Sequence, residues 1–189
     1  ATRRVGYLID QIDMSGQNRE LIDELVSLST RYGILTPYTA FLADERVPLH
    51  AAMQNARQAG ENLVALRSVS GGFGVAQREA KQFYMRAEKA SGAPGGLLMD
   101  QQGETQNVQA KLRQVGSKTF YFKENRWIDS TVKPDEDAKA KLIRQFSNDF
   151  FNLARSQSAD LNQYLTFTEP VTIKLAGTVY RIDPAEGTP

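Results

Sequence analysis

Cysteine is absent from this 189-residue chain, and histidine occurs once, at His50. The first absence excludes a disulfide framework and thiolate chemistry, without fixing a compartment. The second means that any Ser-His-Asp or histidine-metal site would have to be built around His50, in the loop-to-helix junction Val47-Pro-Leu-His. Neither a Gly-x-Ser-x-Gly elbow nor a second liganding histidine accompanies it, so His50 reads as a structural or exposed residue. Charge of one sign is also missing. The 23 basic and 22 acidic residues are interspersed and leave a net charge of +1, which gives no electrostatic reason to expect nucleic acid or an anionic membrane as partner. No run approaches the roughly 20 apolar residues that span a bilayer, and the sequence does not open on a signal peptide or an initiator Met. Phosphate-binding loops are lacking too: Gly71-Gly72-Phe73-Gly74 has neither the later glycine of a dinucleotide loop nor the Gly-Lys-Ser/Thr of a phosphate loop, and reads as a hinge.

What is present is 41% hydrophobic residues, enough for one sizeable core or one core with an appended helical segment. Val5, Leu8, Ile9 and Ile12 recur at the spacing of one helix face, and Leu21, Ile22, Leu25, Leu28 and Tyr32 do so again after Gly16. These patterns predict a helical hairpin, with Gly16 ending the first helix, Asn18 capping the second and Gly33 ending it. The run from Ile34 to Leu42 reads as extended, because Pro37 disfavours helix at Thr36. Tyr32, Thr36, Pro37, Tyr38 and Phe41 are therefore expected to form a rigid structural corner.

Residues 45–115 change character. Ala52, Met53, Ala56, Ala59, Leu63 and Leu66, then Val75, Ala80, Phe83, Tyr84 and Ala87, follow a helical period with thin faces. Ser70-Gly-Gly-Phe-Gly and Ser91-Gly-Ala-Pro-Gly-Gly break them, and Leu97 to Gln114 is weakly patterned. Thin faces bury little area, so Ser91 to Gly116 is expected to be the most mobile or most partner-dependent stretch. Residues 116–189 return to dense aromatics. Phe120, Tyr121, Phe122 and Trp127 lie in two short strand-like runs joined at Glu124-Asn125. A helix is predicted over 135–146, with Asp135, Glu136 and Asp137 at its positive end, and another over 158–167. Strands at Val171–Leu175 and Thr178–Ile182 follow, joined at Ala176-Gly177. The fold class expected is α+β: an N-terminal helical hairpin over 1–44, an Ala/Gln-rich helical, linker-like middle over 45–115, and a small C-terminal unit over 116–189 whose sheet is mainly antiparallel, with helices.

Tyr32-Gly-Ile-Leu-Thr-Pro-Tyr-Thr-Ala-Phe-Leu42, following the hairpin from Arg3, resembles the region just after the von Willebrand factor A domain in bacterial proteins that pair it with a VIT domain. The VIT module is shared with inter-alpha-trypsin inhibitor heavy chains. The similarity continues in Val115-Gly-Ser-Lys-Thr-Phe-Tyr-Phe122, Arg126-Trp-Ile-Asp-Ser130, Phe150-Phe-Asn-Leu153 and the block from Val171 to Ile182. The resemblance implies a C-terminal portion of such a protein, a scaffold to an adhesion-type A domain, and favours an extracytoplasmic or cell-surface setting. Because the chain opens inside a helical pattern, a processed product is expected, packed against the VIT and A portions or against copies of itself.

Two patterns could carry chemistry. Tyr7-Leu-Ile-Asp10 followed by Asp13-Met-Ser-Gly-Gln17 is similar to the strand and Asp-x-Ser-x-Ser loop of an A-domain cation site. Gln17 replaces the second serine, and Val5 to Ile12 fits a helix face, so no metal is expected here. Asp129 and Asp149 could divide acid and base roles in a hydrolase, the less favoured alternative. Phe120 and Trp127 could mark a binding surface, although alternation in short strands more often means one face on the core. The expectation is a non-catalytic protein-interaction module without cofactors; a self-assembling structural subunit is the other alternative.

Overall fold

The computed structural model describes residues 1–16, 18–68, 97–99, 105–107, 111–156 and 162–185. The chain is of α+β class and divides into two compact units, Ala1–Leu112 and Arg113–Pro189.

In the first unit, α1 (Thr2–Ser15) and α2 (Arg19–Tyr32) form the predicted hairpin. Val5, Leu8, Ile9 and Ile12 of α1 and Ile22, Leu25 and Val26 of α2 are buried together, because each set recurs every three or four residues and so occupies one face. The caps are those the sequence indicates. Asn18 Oδ1 accepts from the Glu20 N–H at 2.9 Å, and Gly33 takes the left-handed conformation at φ 64° that a side chain would resist. Arg4 of α1 makes a two-pronged pair with Glu24 of α2 at 2.7 Å, which raises the guanidinium pKa and lowers the carboxyl. A third helix, α3 (Ala52–Ser68), packs against α2 through Ala59 and Leu63. Strands β1 (Leu97–Met99) and β2 (Thr105–Asn107) pair antiparallel.

The run after Gly33 departs from the extended geometry expected of it. The Thr39 N–H donates to the Thr36 carbonyl at 3.0 Å and the Leu42 N–H to the Thr39 carbonyl at 3.1 Å, so the chain makes successive turns and enters a 3₁₀-helix at Ala40–Ala43. Pro37 sits second in the first turn, where its fixed φ starts the reversal. Proline's bias against helix at Thr36 was legible; its equal aptitude for a turn decided the outcome.

The second unit is a six-stranded mixed sheet in the order β3-β4-β5-β7-β8-β6. Its strands are β3 (Leu112–Val115), β4 (Lys118–Lys123), β5 (Arg126–Asp129), β6 (Lys141–Arg144), β7 (Val171–Leu175) and β8 (Thr178–Asp183). The β4–β5 and β7–β8 pairs are the two expected hairpins, with Glu124 (φ 50°) and Asn125 (φ 61°) left-handed in the first turn. Alongside these antiparallel pairs, β5 with β7 and β6 with β8 run parallel. Parallel neighbours need a long connection, and the chain from β5 supplies one before returning beside its own start. Phe120, Trp127, Val171, Ile173, Leu175 and Ile182 form the core face, covered by Phe150 and Leu153 of α5 (Asn148–Ser156) and by Tyr164 and Phe167.

That connection corrects the helix expected over 135–146. Helix α4 covers only Pro134–Asp137, and Lys141–Arg144 is strand. Ile143 packs on the core while Leu142 faces out, a period of two that pairing with β8 selects over the local helical reading. The helix expected over 158–167 is a 3₁₀ turn at Gln163–Leu165; residues 157–161 lie outside the described residues. Within Ser91 to Gly116, residues 97–99, 105–107 and 112–115 are strands; the remaining residues up to 110, like the Gly71–Gly74 hinge and the apolar positions from Val75 to Ala87, lie outside the described residues.

Candidate interaction surfaces

The Thr36-to-Thr39 corner is a closed polar knot inside an apolar shell. Thr39 Oγ1 accepts from the Thr36 N–H at 3.0 Å and donates to Ser29 Oγ at 3.2 Å, while the Tyr38 N–H donates to Thr36 Oγ1 at 3.3 Å. Asn62 of α3 donates to the Tyr38 carbonyl at 3.2 Å and ties the corner to that helix. Tyr38 is 1% exposed, Thr36 is buried, and Pro37, Phe41 and Tyr32 are half-buried, the last with Arg31 over its ring at 5.4 Å. Buried polar groups with their partners in place stiffen a turn.

The metal-like pattern containing Asp10 and Asp13 lies on α1, so its strand context is absent; Gln17 lies outside the described residues. Among the described residues no three His, Cys, Asp or Glu side chains converge as a metal site would require. His50 is exposed before α3, and its carbonyl accepts from the Ala52 N–H at 2.9 Å. Phe120 and Trp127 sit in the core of the second unit, Phe120 against Phe167 at 4.7 Å and Trp127 edge-on to Phe122 at 5.2 Å. Arg113 lies over the Trp127 ring at 4.4 Å and pairs with Glu169 at 3.2 Å, closing that side of the core.

The register places Asp129 opposite Phe120, so Asp129 and Lys118 share the core face, while Arg126, Lys174 and Arg181 line the other face of the sheet. Asp129 is fully buried, and both its oxygens are taken: Oδ1 by the Thr131 N–H (2.9 Å) and hydroxyl (2.8 Å), Oδ2 by Lys118 (2.6 Å) and the Lys174 N–H (3.2 Å). Asp149, its suggested catalytic partner, is not in this set and is exposed in the first turn of α5. Arg126 reaches both oxygens of Asp137 at 3.0 and 2.8 Å, Glu124 at 2.7 Å and the Thr172 hydroxyl at 2.8 Å. Arg181 adds a second cation to Asp137 at 3.3 Å, and Lys174 pairs with Glu136. Burial pushes the Asp137 carboxyl up, but the two guanidiniums outweigh it and leave the group below the usual carboxylate range. Lys174, then the Lys133 N–H, hold Glu136 low as well. Beneath this layer the Tyr121 phenol is wholly buried, which pushes its pKa up. Fixed ion pairs of this kind anchor α4, none of whose residues is buried.

Among the described residues, apolar surface is open in each unit. Between α2 and α3 an open groove of about 500 Å³ is lined by Ile22, Met53, Ala56, Gly60 and Val64 and rimmed by Arg19, Arg57 and Glu61. In the second unit, Leu142 of the outermost strand is 70% exposed, Phe146 66% and Phe151 45%. Phe146 carries a left-handed backbone at φ 60°, a conformation costly for a bulky residue, and its ring meets Phe150 edge-on at 5.8 Å. Sequence reading missed this cluster because residues 141–146 were assigned to a helix, although Phe150-Phe151 was among the blocks singled out.

No helix among the described residues is long and apolar enough to cross a membrane. No family model, curated protein or solved structure matches this chain.

Proposed function

We propose that this chain is a non-catalytic protein-interaction portion of a protein of the VIT and von Willebrand factor A class, serving as scaffold to its adhesion-type domain. The observation that carries the reading is Phe146, held in a strained backbone with its ring mostly in solvent, beside exposed Phe151 and Leu142. Backbone strain that places an apolar ring in water is not explained by folding of the unit itself, and such features concentrate at sites of binding. The sequence blocks from Tyr32 to Leu42 and from Val171 to Ile182 support the class of parent. The saturated oxygens of Asp129 speak for a structural carboxylate there, not a hydrolytic one. Localisation outside the cytoplasm, or at the cell surface, belongs to the same proposal.

The test is a binding titration of the whole chain with separately prepared VIT and A portions, alongside Phe146→Asp. Saturable association that the variant loses, while its melt stays cooperative, is the expected result. No association, or equal association of the two, overturns the reading. A second reading, a self-assembling structural subunit, is favoured by the outermost position of β6. Light scattering of the chain alone separates the two.

A further inference from the structure

We infer that the connection from β5 to β6 is an acid-released strap: in acid, residues 133–140 lift from the sheet while the core behind it stays folded, and the cations beneath them come into water. The device lies wholly within the second unit and does not depend on what the chain binds.

The strap is tied down at both ends. Val132 is buried and its N–H donates to the Asp129 carbonyl at 3.0 Å, while Lys141 enters β6 opposite Tyr180 of β8. Between these points none of residues 133–140 is buried, so apolar burial adds almost nothing to the hold. One helical turn is also too short to persist in water by itself. Charge keeps the strap in place. Asp137 lies against Arg126 of β5 at 2.8 Å and Arg181 of β8 at 3.3 Å, and Glu136 against Lys174 of β7. Cations from three strands thus hold two carboxylates.

Glu136 has two duties at once. One oxygen pairs with Lys174 and the other accepts the Lys133 N–H at 3.1 Å, so the same charge ties the helix down and caps it. A proton on Glu136 loosens both, and the turn unwinds as it lets go. Arg181 is incompletely served in the closed state: Nη2 reaches Asp137, but Nε is buried without an acceptor among the described residues. Opening admits water to that donor, which offsets part of what closure gains.

The balance of charge sets the direction of the switch. Arg126, Lys174 and Arg181 face the strap, and Lys123 lies on the same face of the sheet, across from Arg126 in the register. Against them stand Glu136, Asp137 and Glu124, the last sharing Arg126 at 2.7 Å. Arg144 and Asp183 neighbour each other further along this face, and Lys133, Asp135 and Lys139 are exposed on the strap itself. Protonating Glu136 and Asp137 removes the charge that keeps Arg126 and Arg181 together, and the two guanidiniums then repel. Both carboxyls lie below their ordinary values in the closed state. The tethers are therefore complete above the unfolded carboxylate pKa of about 4 and are lost as pH falls through the folded values.

Hydrogen exchange followed residue by residue on the whole chain tests the device. The N–H groups of Glu136 to Ala140 all donate within the strap and should be protected at pH 7. As pH is lowered to about 2.5, below the carboxylate range, they should come to exchange like an unstructured peptide while the β7–β8 ladder keeps its protection. Asp137→Asn should lower protection of the same groups already at pH 7, with the ladder unchanged. Asp135→Asn, which removes an equal charge from an exposed position of α4, should leave them protected. If Asp137→Asn unfolds the unit, Lys174→Gln, which unties Glu136 instead, replaces it and should have the same effect. Strap and ladder losing protection together in acid would mark ordinary unfolding and overturn the device. So would a strap that is unprotected at pH 7, that outlasts the acid, or that responds equally to the Asp135 and Asp137 variants.

Discussion

Tyr38 and Phe146 show how differently two aromatic rings can be used. Tyr38 is closed into the first unit's core, so Tyr38→Ala should cost about 3–5 kcal/mol through lost transfer energy and the cavity left behind. Chemical denaturation measures this; unchanged stability would mean that the ring contributes nothing to packing. Phe146 has the opposite balance. Its left-handed backbone costs roughly 1–2 kcal/mol in a residue with a branching side chain, and asparagine tolerates that conformation better. Phe146→Asn should therefore leave stability unchanged or raise it by about 1 kcal/mol, after loss of the edge contact with Phe150. A drop of more than about 1 kcal/mol in a denaturant titration would show that the ring is there to stabilise the fold, and would remove the observation on which the interaction reading rests.

At the scale of elements, α4 is the most instructive. Four residues without a buried side chain cannot hold themselves to a sheet by the hydrophobic effect, and the attachment runs through Asp137 to Arg126 and Arg181 and through Glu136 to Lys174. Both carboxyls lie below their ordinary values in the folded chain. A depressed carboxylate contributes stability that is present above its unfolded pKa, about 4, and is lost as pH falls through the folded value. Stability should thus decline from about pH 4 downward, and Asp137→Asn should flatten that decline while lowering stability near neutrality. Denaturation midpoints of both proteins across this range decide it; parallel profiles would show that Asp137 does not carry the linkage. Helices α1 and α2 are held mainly by apolar faces and caps, and the solvent-exposed Arg4–Glu24 pair between them adds only a small contribution that weakens as pH falls through the depressed Glu24 carboxyl.

On the scale of the molecule, each unit encloses its own hydrophobic cluster, one around Leu8, Leu25 and Tyr38, the other around Phe120, Trp127 and Ile173. The similarity of Asp10-to-Gln17 to a cation loop does not survive the helical placement of Asp10 and Asp13, which turns successive side chains about an axis instead of around an ion. Calorimetric titration of the whole chain with magnesium should give no stoichiometric heat. A saturable signal would place a cation site in this chain and reopen the adhesion-type reading of that loop.

The sequence by itself determined what depends on neighbours a few residues apart. The three-and-four spacing of Val5 to Ile12 and Ile22 to Val26, the caps at Asn18 and Gly33, and the left-handed turns at Glu124-Asn125 and Ala176-Gly177 are local, and each stands where the residues indicate. Tertiary structure decided what depends on distant partners. Lys141 to Arg144 is strand because β8 lies alongside, and the Thr36 turn closes on Ser29 and Asn62 from two helices. The cations around Asp137 come from β5 and β8, 11 and 44 residues away. The exposed cluster of Leu142, Phe146 and Phe151 was illegible for the same reason: an apolar residue is left in water only when the fold around it is complete, and no spacing along the chain records which positions the core leaves outside.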